Sequence, residues 1–313
     1  VQHSGHDYNY MLVGATGQIG RYLLELLPQM GRTVVLIRRK SLQDARWDLP
    51  AGEFDIVLGG LSSSNLPTAC HVINAAGFTK LVSHNIHKYI GSNVIGATNL
   101  AHHVAETGGI LHQLSSVAVA EFRKDVLTEA NTPMVVGKQL PYSLSKALME
   151  NAISAILPPE QLQILRLGDV VPPVSAFSAD WRRDHWLPVL FSCGKPGLSH
   201  APPDYHVWVS DVSELAKAVC LLLDSPMSMC HVLGKMYSFE QFKRNAMDVP
   251  AEENRDRLSK WMTHIITYGP EAHMVTDYST MDELHLRGFE WTTLEDPYWI
   301  AFALRSREPR RQQ

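Results

Sequence analysis

Over the first two-thirds of the chain, short apolar runs alternate with stretches whose apolar residues recur every three or four positions. That alternation predicts strands feeding helices, and hence a parallel sheet covered on its faces by helices. Met11–Val13 reads as a buried strand running into a glycine loop. Residues 18–27 follow with Ile19, Leu23, Leu24 and Leu27 on one helical face. Further strands are expected at Thr33–Ile37, Asp55–Leu58, His71–Asn74, Ile110–Leu114 and Gln163–Leu167. Helices are expected from near Ser92 to Glu106, from near Tyr142, and from Val212 to Leu223. The fold class is therefore α/β, a doubly wound parallel sheet. Beyond Gly168 the pattern loosens, punctuated by Pro172-Pro173, Pro188, Pro196 and Pro202-Pro203 among Trp and His residues. The expected division is a nucleotide-binding domain over 10–168 and a smaller, mainly substrate-binding C-terminal region over 169–313, partly interleaved with it.

Composition narrows the class. The 313 residues are 45% hydrophobic and 19% charged with a formal net charge of −4. This balance suits a globular protein and offers no basic field for a nucleic acid or an anionic membrane. The basic tail from Arg305 to Arg311 reads as a solvated end. Cys70, Cys193, Cys220 and Cys230 form no CxxC pair, which argues against a zinc site or disulfide framework and fits a reducing compartment. No apolar run approaches the ~20 residues of a membrane span. Val1 to Tyr10 is polar and lacks the apolar core of a signal peptide, so the expected location is cytoplasmic.

The first chemistry-bearing motif is Gly14-Ala15-Thr16-Gly17-Gln18-Ile19-Gly20, placed between a strand and a helix. Glycines there permit a tight turn and let a pyrophosphate approach the backbone, where helix N-terminal amides attract it. Gly14, Thr16, Gly17, Gln18 and Ile19 are accordingly candidate cofactor contacts, and the sheet is expected to be of the Rossmann type. An acidic residue ending the second strand would select NAD. The chain instead has Arg38-Arg39-Lys40, with Arg46 close behind. A guanidinium can hold a 2′-phosphate bidentately, so NADP(H) is the expected cofactor, with Arg38, Arg39 and Arg46 as its phosphate ligands. A solvated basic strand end is the plainer alternative, and it leaves NAD open.

The second is Tyr142-Ser143-Leu144-Ser145-Lys146, a YxxxK on a predicted helix. Positions i and i+4 share a face, so phenol and ammonium can address one pocket. A free phenol titrates near 10, and lowering it about three units takes roughly 4 kcal/mol. An ammonium ~5 Å away supplies about 3 kcal/mol at an effective dielectric near 20. Ser115 and Ser116 follow the fifth strand, where a hydroxyl would face the crevice beyond the strand ends. No GxSxG elbow supports a serine hydrolase. His84 and His87 lack a third partner in sequence, and no metal site is expected.

These motifs, with Asn74-Ala75-Ala76-Gly77, Asn93-Val94-Ile95-Gly96-Ala97-Thr98-Asn99-Leu100 and Leu114-Ser115-Ser116, occur in the order of the extended short-chain dehydrogenase/reductases, which the chain resembles over roughly residues 10 to 225. The resemblance implies that Ser116 orients a substrate carbonyl, Tyr142 is the acid or base, and Lys146 binds the nicotinamide ribose and tunes Tyr142. Ser116 is preferred to Ser115 because Val119 then falls where the family has its following valine. Ala75, Ala76, Gly77, Asn93, Leu167 and Val170 are implied to border the cofactor.

Arg166-Leu167-Gly168-Asp169-Val170, Asp184-His185-Trp186-Leu187-Pro188 and Val207-Trp208-Val209-Ser210-Asp211-Val212 resemble the thioester-reductase, or male-sterility-like, branch. Gly60 departs from it, standing where that branch has an aspartate near the adenine. The implied activity is hydride transfer from NADPH to a carbonyl carbon of a small-molecule or carrier-linked acyl substrate: a thioester, aldehyde or ketone. Trp181, Trp186 and Trp208 would line an apolar channel or pack the smaller domain, with Arg182, Arg183 and Lys195 as its few cations. Two rivals stand beside this: a sugar-nucleotide epimerase or dehydratase using NAD, and a non-catalytic NADP-binding redox sensor.

Overall fold

The computed structural model describes residues 5–38, 49–50, 52–61, 65–79, 85–121, 127–130, 133, 135, 139–173, 206–238 and 278–291. Arg39, Arg46, His84, Trp181, Arg182, Arg183, Trp186, Lys195 and the basic tail lie outside the described residues.

Seven parallel strands form the main sheet: β1 (Tyr8–Val13), β2 (Thr33–Ile37), β3 (Phe54–Leu58), β4 (Ala69–Asn74), β5 (Ile110–Ser116), β6 (Leu162–Leu167) and β9 (Met229–Val232), in the order β3-β2-β1-β4-β5-β6-β9. The order reverses between β1 and β4, the point where a doubly wound sheet opens a crevice at its strand C-termini. β2 is Thr-Val-Val-Leu-Ile and buried throughout, as a strand covered on both faces must be. A smaller sheet, β10-β8-β7, joins β7 (Asp169–Val171), β8 (His206–Asp211) and β10 (Lys235–Ser238).

Helices cover both faces. On one, α1 (Gln18–Met30) buries Leu23, Leu24 and Leu27 against Leu215, Val219 and Leu222 of α5 (Val212–Leu222). On the other, α3 (Gly96–Thr107) and α4 (Pro141–Ser154) bury Leu100, Val104, Met149 and Ile153. α5 starts where Asp211 Oδ1 accepts the Ser213 amide at 2.8 Å, and α3 stops at Gly108, whose φ is +82°. The last described helix, α6 (Ser279–Leu286), leads into Phe289 and Trp291, which stack edge to face and pack on the α1–α5 side of the core. Among the described residues no helix is long and apolar enough to cross a membrane.

Several boundaries differ from the sequence pattern, three of them in elements that flank the crevice. β1 begins at Tyr8 because pairing with Ala69 continues the ladder past the apolar run. β5 runs through Ser115 and Ser116, which pair with Arg166 and Leu167 of β6, so the serines end the strand rather than follow it. The helix expected from Ser92 instead opens with α2 (Ile86–Tyr89) and a π-helical turn over Ile90–Ile95 before α3.

Candidate active site

Gly14 follows β1 with φ +90°, and a Cβ on it would lie 2.5 Å from the Ala76 nitrogen. The glycine therefore lets the β1 and β4 ends close on one another. Its carbonyl accepts the Gly17 amide at 2.9 Å, and a Cβ on Gly20 would overlap that same carbonyl. Helix α1 is thus seated directly on the loop. Gly17 is its N-cap, with no side-chain cap and no acidic residue in the first turn. The uncapped amides and the positive end of the helix face the crevice, the arrangement that holds a pyrophosphate. Thr16 and Ile19 are partly buried around this turn and Gln18 is exposed.

The β4 end is fixed by its own polar groups. Asn74 Oδ1 accepts the Ala76 amide at 3.1 Å, and Asn74 Nδ2 donates to Gln113 Oε1 at 2.8 Å. Beyond it, Asn93 in the π-helical turn accepts the Phe78 amide at 2.7 Å and donates to the Ser145 hydroxyl at 2.9 Å. Asn93 so ties the chain after Gly77 to α4. π-Turns of this kind cluster at functional sites.

Tyr142 lies in the first turn of α4, and Pro141 at the helix start sets its entry. The Ser116 hydroxyl is near enough to Tyr142 to pull its phenol down, and Ser116 Oγ accepts the Ala118 amide at 3.1 Å. Ser115, by contrast, donates to Glu150 away from the phenol. Lys146 is buried and donates to the Leu114 carbonyl at 2.8 Å; its Nζ is 4.0 Å from a Cβ placed on Gly77. Burial lowers the Lys146 ammonium to about 8, while Glu150 opposes that fall.

Burial pushes the Tyr142 phenol up to about 12; Ser116 pulls it down, and Asp169 and Tyr89 push it further up. The spacing of Lys146 leads one to expect a lowered phenol; with burial as the largest effect, it is raised instead.

The structure thus brings Gly14, Gly17, Ala75, Ala76, Gly77, Asn93, Ser116, Tyr142 and Lys146 to the C-terminal ends of β1, β4 and β5. Leu167 is buried in the core opposite Ser116, and Val170 is partly buried on β7, so their backbone is what could border a cofactor. Arg38 is exposed directly after β2, beside the β1 loop. Three groups escaped the sequence reading: Asn74 as a lock on the β4 end, Ser145 as partner of Asn93, and the buried pair Glu150–Arg166. Arg166 alone carried a signal, as a charge inside an otherwise apolar strand.

The residues present fit a dinucleotide: a glycine cradle that a Cβ would fill, an uncapped helix N-terminus, and a lysine beside Gly77. Among the described residues no group of three or more His, Cys, Asp or Glu could hold a metal ion. Burial raises the thiols of Cys220 and Cys230 to about 12, which leaves neither a nucleophile near neutrality.

Comparison with known proteins agrees with this geometry. The family model described as the NAD-dependent epimerase/dehydratase family matches residues 10–171. No curated protein matches the chain. Among solved structures, the chain is similar to a thiolation-reductase di-domain from an archaeal non-ribosomal peptide synthetase, at 19% identity and TM-score 0.69, covering 96% of this chain and 90% of that one. It is similar to the terminal R domain of the myxalamid PKS-NRPS pathway, at 19% identity and TM-score 0.69, covering 97% and 91%. It is also similar to a UDP-glucuronic acid 4-epimerase from Bacillus cereus solved with UDP-glucuronic acid and NAD, at 14% identity and TM-score 0.61, covering 95% and 96%. At these identities the solved structures establish the shared fold. With a matched family model and the dinucleotide cradle in place, the chain belongs to the NAD-dependent epimerase/dehydratase family of extended short-chain dehydrogenase/reductases, and is an NAD(P)-dependent enzyme.

Proposed function

We propose that this enzyme reduces a carbonyl carbon with NADPH, its substrate a thioester, aldehyde or ketone presented free or on an acyl carrier. The observation that carries the reading is the placement of Ser116, at the end of β5, and Tyr142, at the start of α4, beside the glycine cradle. NADPH, when bound, supplies the hydride. Lys146 and the backbone around Gly77 hold the nicotinamide end, and the loop from Gly14 to Gly17 holds the pyrophosphate. Ser116 orients the carbonyl oxygen, and Tyr142 delivers a proton to that oxygen as charge develops on it. A phenol pushed up by burial is protonated at neutral pH and can donate to that oxygen. Arg38 at the β2 end supports the 2′-phosphate preference, with Arg39 and Arg46 as further ligands.

The similarity to the thiolation-reductase di-domain and the myxalamid R domain supports an acyl thioester as substrate. The similarity to a UDP-glucuronic acid 4-epimerase supports a second reading, sugar-nucleotide epimerisation with NAD, since the same hydroxyl, phenol and ammonium serve both. The test is coenzyme oxidation with an acyl-pantetheine thioester, its matching aldehyde, a ketone and a UDP-sugar. Stoichiometric NADPH consumption with the thioester or aldehyde supports reduction, and turnover confined to the UDP-sugar overturns it.

A further inference from the structure

Glu150 lies one helical turn beyond Lys146 and two beyond Tyr142 on α4. Its side chain is 1% exposed and that of Arg166, the penultimate residue of β6, is 0% exposed. Arg166 Nη2 donates to Glu150 Oε2 at 2.8 Å and its Nε reaches the same carboxylate at 3.1 Å. Ser115 donates to Glu150 Oε1, so the carboxylate also grips the residue next to Ser116. The guanidinium continues outward: Nη1 donates to the Thr128 carbonyl at 3.1 Å and meets His231 Nε2 at 3.3 Å. The His231 amide in turn donates to Glu129 at 2.8 Å, and Thr280 donates to the same carboxylate.

A buried ion pair is a poor way to gain stability, because desolvation offsets the attraction and an apolar pair of similar volume commonly does as well. Its placement is informative for that reason. One carboxylate joins the strand end that carries Ser116, the helix that carries Tyr142 and Lys146, and the strand that pairs with Ser116 through Leu167. We propose that Glu150 and Arg166 are positioning residues of the reaction, their ion pair fixing β5 against α4 so that the Ser116 hydroxyl, the Tyr142 phenol and the Lys146 ammonium stay in register. The inference rests on the carbonyl-reductase reading of that site. Glu150 also holds up the charge of Lys146, whose ammonium donates to the Leu114 carbonyl beside Gly77. Around Tyr142 stand Ser116, Asp169 and Tyr89.

The experiment compares Ser115→Ala, Glu150→Gln and the double variant Glu150→Leu/Arg166→Met with wild type, and with Tyr142→Phe as reference. The readouts are kcat and KM for NADPH oxidation with an acyl-pantetheine thioester or its aldehyde, the Kd of NADPH, and the pH profile of kcat/KM. Misplacing reacting groups by about 1 Å costs on the order of 100-fold. Glu150→Gln and the double variant are expected to lose 10- to 100-fold in kcat (order of magnitude) with little change in KM. Their alkaline limb should move to lower pH, because Lys146 loses the anion that keeps it charged. Ser115→Ala, which leaves the ion pair in place, is expected to lose several-fold in kcat. A double variant that melts cooperatively like wild type yet stays slow separates positioning from folding. Wild-type kcat and pH profile in that double variant, or wild-type kcat in Ser115→Ala, overturns the proposal. If Tyr142→Phe itself keeps full turnover, the carbonyl-reductase reading fails instead.

Discussion

Ser116, the last residue of β5, stands near enough to Tyr142, the second residue of α4, for its hydroxyl to pull the phenol down. Strand and helix thereby deliver two hydroxyls to one point at the mouth of the crevice. Tyr142→Phe keeps the ring and removes only the exchangeable proton. Turnover is expected to fall about 10²–10⁴-fold, the range for a lost general acid. NADPH affinity, read by fluorescence titration, should change little, because the proposed coenzyme contacts are the glycine loop and Lys146.

The coenzyme preference is tested at Arg38. Loss of one bidentate charge-assisted contact costs roughly 1.5–3 kcal/mol, or about 10- to 150-fold in Kd. Arg38→Ala is therefore expected to weaken NADPH by that factor and leave NADH nearly unaffected. Equal NADPH affinity in the two proteins removes Arg38 from the phosphate site.

Gly14→Ala is expected to abolish coenzyme binding. The φ of +90° costs about 1–3 kcal/mol for a residue with a side chain, and the added methyl would meet Ala76 N at 2.5 Å. A lowered melting temperature together with loss of NADPH-dependent stabilisation is the expected pattern. Unchanged binding would mean that the β1 and β4 ends do not close as described.

Much of this site was legible from residue order. The glycine loop, the β-branched second strand and the YxxxK spacing each follow from local rules, and each stands where the pattern put it. What could not be read locally depends on contacts far apart in the chain. Asn93 meets Ser145, and Arg166 meets Glu150, only because the parallel sheet sets β6 beside β5 and packs α4 across them. The direction of the Tyr142 shift was missed because burial, its largest cause, is set by how α4 packs on the sheet and not by the spacing to Lys146. Arg39, Arg46, Trp181 and Trp186 fall outside the described residues, whereas Trp208 on β8 packs with Val119, Ala120, Leu127 and Leu233.

Acid should destabilise the fold through His112. This ring is fully buried, bonded to Gln163 Oε1 at 2.8 Å and to His71 at 2.9 Å, and burial with the neighbouring His71 lowers it to about 3. Between about 6.5 and 3 the unfolded chain binds a proton that the native state refuses. Stability is therefore expected to fall as pH drops through that window, by up to about 1.4 kcal/mol per pH unit from this group. Urea melts from pH 7 to pH 4 check the slope in wild type and in His112→Gln, where it should be shallower.

The central claim, net hydride transfer to a carbonyl, is tested most directly by running the reaction with NADPH carrying deuterium at the transferred position and analysing the product of an acyl-pantetheine thioester or aldehyde by mass spectrometry. The account predicts one deuterium in the product for each hydride transferred, with a stoichiometric loss of NADPH absorbance. A product from a nucleotide sugar with no net coenzyme oxidation and no deuterium incorporated would contradict it.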